Sequence, residues 1–209
     1  MTTDSAVSET SAAVAPDVRP TGDPAILGLP SFVVGSIALG LALVGYVPAA
    51  AVGAALPIIF AATGLGLLVA AVWSAALGQS FVAAVFGIFA GFWLSYTALV
   101  LGLLHNWYKI PAADVTHTQA LFLISWAILI FLLTVASVRL PLAYTVLLVL
   151  IVAALVLLVI ATVNASTGLT KVAGVVVFAF AAIGAYLFLS SSSVALGGSA
   201  YPVGRPLQS

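Results

Sequence analysis

A chain of 209 residues in which 64% are hydrophobic and 5% are charged departs from a soluble domain, where roughly one residue in four is charged. Its five basic and five acidic residues balance to a net charge of zero, which gives no electrostatic footprint for nucleic acid. With no cysteine, neither a disulfide framework nor a thiolate metal site is available, and a lipid bilayer is the solvent that such a composition fits.

Residues 1 to 22, rich in Ser, Thr, Ala and Pro, carry too little apolar surface to order themselves and read as a flexible polar tail. They open on acidic residues with no basic segment ahead of the first apolar run, unlike a secretory signal. Asp23 followed by Pro24 marks a helix start, because the carboxylate accepts orphan amide hydrogens and a first-turn proline forgoes nothing. Pro30, further in, predicts a break or kink in the first helix. In hydrocarbon such a break requires neighbouring protein or a water-filled cavity, so this segment is expected at a vestibule.

Apolar stretches of spanning length, about 20 residues each, fall at 27–47, 50–76, 79–104, 118–138, 140–164 and 172–193. They are apolar all round, whereas a membrane barrel needs short alternating strands. The predicted fold is therefore an all-α integral membrane domain of six transmembrane helices over residues 23–196, closed by a C-terminal tail at 197–209. Lys109, Asp114, Arg139, Lys171 and Arg205 all fall at expected loops, as the penalty for charge in hydrocarbon demands. Arg19, Arg139 and Arg205 share the side of the termini, against Lys109 and Lys171 opposite, which places both termini in the cytoplasm by the positive-inside rule.

The third span carries Gly87 and Gly91 in a GxxxG pair, extended by Ala84 and Ser95, a stripe that lets another helix approach. Phe86, Phe89, Phe92 and Trp93 occupy the same helix, and some of these rings are expected to line a conduit. Ser36, Thr63, Ser74, Ser95, Thr97, Ser125, Thr134, Thr145, Thr162 and Asn164 are the uncharged polar residues within spans, expected mainly as interhelical glue. His105 and His117 flank a loop with Trp107, Tyr108 and Asp114, which reads as ordinary interfacial chemistry ahead of a metal site. With no Asp, Glu, Lys, Arg or His inside a span, the chain offers no general acid or base and no metal or cofactor site, so an enzyme is not expected.

The stretch DPAILGLPSF resembles the signature that opens the first helix of the acetate uptake transporter family, the group of bacterial succinate-acetate permeases and yeast ammonia/acetate transporters. Asp23, Pro24, Ala25, Leu27, Gly28 and Leu29 carry that resemblance. GQSF followed by FGIFAGFWLSY is similar to the family's third helix, and YPVGRPL to its ending. The resemblance implies a six-helix protomer in a cyclic hexamer, each protomer with its own path for small monocarboxylates. By position it also implies a hydrophobic constriction at Phe32, Phe89 and Ile151, with Phe89 where the family often has tyrosine. Several polar positions of the pattern are absent: Asp23 replaces an asparagine, Ile26 a proline, Gly40 an asparagine, Leu67 a glutamine and Ser74 a glutamate, while Trp73 is kept.

The functional expectation is a transporter or channel for acetate-like monocarboxylates in a plasma (inner) membrane. Because no titratable group lies within the spans, a coupled proton would ride on the substrate. Asp23 would oppose an anion at the first helix unless it is occupied in capping. Two other readings accompany this one: a urea or short-amide channel, and an accessory membrane protein that keeps the fold without transport.

Overall fold

The computed structural model describes residues 21–208, so nearly all of the expected N-terminal tail lies outside the described residues. Six helical segments are long and apolar enough to cross a membrane, and no strand occurs among the described residues. They are α1 (Ala25–Val44), a second span of three unlike parts, α3 (Ser80–Leu104), α4 (Val115–Ala136), α5 (Leu142–Val163) and α6 (Thr167–Ala195). Within the second span a 3₁₀ stretch (Ala49–Ala55) is followed by a π-helical stretch (Ile58–Leu65) and then by α2 (Gly66–Ala76). The predicted spans correspond one to one. The main shift is at α6, which begins at Thr167 with Ser166 accepting from the Leu169 amide, so Lys171 sits inside the helix and not in a turn.

The break expected at Pro30 is absent, for α1 runs uninterrupted through it. Its start is well supplied: the Ala25 amide donates to Asp23 Oδ1 at 2.9 Å, and Ile26 and Leu27 donate to the carbonyls of Asp23 and Pro24. Pro30 removes one bond of the ladder without unwinding the rest. The irregular backbone lies instead in the second span, where Gly53, Pro57, Gly64 and Gly66 cluster. There a Cβ at Gly66 would land on Ser31 of α1, and one at Gly64 would meet Leu94 of α3, 2.9 Å from its Cγ. Small residues thus let the widened turn pass between two helices.

α6 lies against α1 along one side and α5 along the other, α5 continues to α4, and the second span joins α1 to α3. Close approach between α1 and α6 comes from glycine: a Cβ on Gly174 would sit 3.0 Å from Leu43 Cβ, and one on Gly184 would sit 3.0 Å from Val33 Cγ2. Gly87 and Gly91 are looser than their motif implied, since added Cβ atoms would find Ala71 at 3.8 Å and Trp126 at 3.4 Å, ordinary packing distances. The tight helix seam is elsewhere because Gly40, Gly174 and Gly184 spread over two chain segments that no single motif joins.

Hydroxyls within the spans mostly turn back on their own helix. Ser36, Ser74, Ser95, Thr97, Ser125 and Thr134 each donate to the carbonyl four residues earlier, at 2.6–3.0 Å, the usual refuge for Ser and Thr in apolar helices. Among the described residues the expected interhelical glue reduces to Ser137 with Thr145 across the α4–α5 turn, while Ser190 and Ser193 on α6 bond the C-terminal segment at the Tyr201 amide and the Ser199 carbonyl.

The C-terminal segment is tied down. Ala143 donates to the Val203 carbonyl, Leu207 and Gln208 donate to that of Val138, and Tyr186 Oη reaches the Pro202 carbonyl at 2.8 Å. YPVGRPL therefore straps the start of α5 to the end of α6.

Candidate substrate path

Two cavities enter the bundle from opposite ends. The proximal one, about 370 Å³, opens where α1, α3 and α5 start and α6 ends. Asp23, Gln79, Tyr144 and Ser191 supply its polar groups, and Leu29, Phe86 and Leu148 represent its otherwise apolar wall. The distal one, about 280 Å³, opens at the other ends of these helices and is lined by Leu39, Leu43, Phe92, Leu158 and the polar Tyr96, Gln119, Thr162 and Thr170.

A layer of rings separates them. Phe32 on α1 meets Phe89 on α3 edge to face, with centroids 5.4 Å apart, and Phe180 on α6 at 5.6 Å. All three are at most 5% exposed. Phe32 and Phe89 form the floor of the proximal cavity. Ile151 is buried on α5 between Leu148, which lines the proximal cavity, and Leu158, which lines the distal one. The structure therefore brings Phe32 and Phe89 together and buries Ile151 on α5, where it lines neither cavity.

Phe180 was missed. The run VVVFAFAA places Phe178 and Phe180 on different faces of α6, the first against Gly40 and the second against Phe32. Only the partner helix reveals which faces inward, although two rings in an otherwise aliphatic and small-residue run are a signal. On α3, Phe86 and Phe89 reach the proximal cavity and Phe92 the distal one, so three of the four rings singled out line one cavity or the other. Trp93 is buried in an aromatic group with Phe92 and Tyr96. Its Nε1 and the Thr63 hydroxyl are buried with no hydrogen-bond partner among the described residues.

The signature residues assemble the proximal mouth. Ala25 and Leu29 line it, Pro24 is fully buried, and Gly28 accepts the Phe86 ring, whose Cδ1 an added Cβ would meet at 2.9 Å. Leu27, outside the lining, is half-buried and packs against the core. Just upstream, Trp73 Nε1 donates to the Thr21 carbonyl at 3.2 Å and its ring lies under Gly22, whose φ of 101° needs a residue without Cβ. The chemistry of the α1 start is thus anchorage and close packing of rings.

Comparison with known proteins bears on the fold and the family. The bacterial acetate channel SatP superposes with a TM-score of 0.77 over 88% of this chain and 99% of that one, at 21% identity, a likeness of fold. The acetate transporter protein patA of Aspergillus clavatus is 30% identical over 136 residues, 64% of this chain and 55% of its own. The ammonia transport outward protein 2 of Saccharomyces cerevisiae is 32% identical over 124 residues, 57% of this chain and 44% of its own. The chain spans about half the length of the curated relatives it matches. The GPR1/FUN34/yaaH family profile matches residues 7–198, and the chain belongs to that family.

Proposed function

We propose that the chain forms a membrane passage for acetate and similar small monocarboxylates, not an enzyme. The observation that carries the reading is a pair of cavities opening at opposite ends of a single protomer, with the buried Phe32–Phe89–Phe180 cluster at the inner end of the proximal one. Relatives named as acetate transporters and an acetate channel of the same fold support the substrate class. An uncharged acid crosses a neck of phenyl rings at far lower desolvation cost than an anion, so any proton would travel on the substrate. The protomer assembles as a cyclic hexamer in a plasma (inner) membrane with cytoplasmic termini.

The test is uptake of labelled acetate into vesicles holding the purified protein, against protein-free vesicles. Protein-dependent uptake supports the reading. Uptake equal to that of empty vesicles, with urea equally excluded, would leave the accessory role, which the closed ring layer favours in this conformation.

A further inference from the structure

We infer that Asp23 makes the proximal cavity reject carboxylate anions, so that the species admitted at this end is the uncharged acid. The inference rests on the acetate reading above and concerns its charge selection. Asp23 lines the cavity at its mouth, and no Lys or Arg lines it among the described residues. The other polar lining groups, Gln79 on α3, Tyr144 on α5 and Ser191 on α6, are neutral at physiological pH. Arg139, before the α5 start, and Arg205, on the C-terminal strap, are exposed and outside the lining.

A helix start ordinarily attracts anions through free amides, but this one has none to offer. Pro24 has no N–H, Ala25 donates to Asp23 Oδ1, Ile26 to the Asp23 carbonyl, and Leu27 and Gly28 to the Pro24 carbonyl. The helix start that would bind a carboxylate therefore already holds one, the chain's own. A single amide bond leaves the net negative charge of Asp23 in place. An arriving anion meets this charge at the mouth and rings at the floor, whereas the protonated acid meets neither penalty.

The experiment compares wild type, Asp23→Asn and Asp23→Ser in vesicles. Both substitutes cap helices well, so one serves if the other fails to assemble. Two quantities are read: acetate current under an imposed voltage, and internal acidification by acetic acid in stopped flow. Wild type should acidify faster than protein-free vesicles while carrying little acetate current. The neutral variants should gain current about tenfold or more, the scale on which a focused charge alters local ion concentration. Raising ionic strength should release wild-type current and leave the variants unmoved, a screening response that a purely structural role for Asp23 would not give. Equal acetate currents in all three proteins, with acidification intact, would overturn the inference and leave the acetate reading standing. Vesicles of all three that match protein-free ones in both quantities would overturn the acetate reading and the inference together.

Discussion

The proximal cavity is framed by bonds between distant parts of the chain, whereas the distal cavity is framed by bonds that stay local. At the proximal end Trp73 holds Thr21, and the C-terminal strap joins the α5 start, Tyr186 and Ser190. At the distal end Tyr108 returns to Ala98 in its own neighbourhood, Ser166 caps its own helix, and the second span approaches as 3₁₀ and π turns. Cross-element ties raise the energy of local opening and their absence lowers it. A held mouth paired with a looser one leads to the expectation that local opening is easier at the distal cavity than at the proximal one.

Substitutions can break or sharpen this contrast. Phe32→Ala removes a buried ring at the inner end of the proximal cavity and should lower stability by about 3–5 kcal/mol, read as a fall in the thermal midpoint in detergent. Gly28→Leu drives a side chain into Phe86 at the held mouth, with an expected loss of about 1–3 kcal/mol; an unchanged midpoint would show that this mouth yields as readily as the other. Tyr186→Phe frees the strap at Pro202 and should cost about 1 kcal/mol, with faster amide exchange at Ala143 and Leu207 and none of that change near Val52.

Thr63→Val should act in the opposite direction. The hydroxyl is buried beside Gly35 without a partner among the described residues, and its removal should raise stability by about 1 kcal/mol. A loss would mean that the π turn uses that hydroxyl. Smallest is Ala165→Gly at the distal end of α5, where φ is 48° and the Ser166 amide closes onto the Ala161 carbonyl. Relief of the left-handed penalty should add about 0.5–1 kcal/mol.

Span number and position were legible because helices in lipid must be apolar throughout their length, and charges at Lys109 and Arg139 punctuated them clearly. Asp23 as the cap was equally readable, being a one-turn effect. Pro30 misled because proline chemistry is local, while the tolerance of a helix for one missing bond depends on how its first turn is satisfied. The irregular span escaped because Gly53, Pro57 and Gly64 look like ordinary apolar sequence until α1 and α3 press on them. Ser and Thr gave no sign of whether they would bond their own helix or a neighbour. Phe180 and the strap depend on contacts between segments far apart in sequence, which single-chain periodicity does not encode.

The most direct test of the passage is the ratio of acetate to butyrate flux through Phe32→Ala and the milder Phe32→Leu, against wild type, in vesicles corrected for protein-free leak. If the ring layer is the narrowest point, the alanine variant should pass both acids faster and favour acetate less, since each ~1.4 kcal/mol taken off a barrier is about tenfold in rate. Fluxes and ratio identical to wild type in a folded variant would contradict the neck at Phe32, and with it the continuous path between the two cavities.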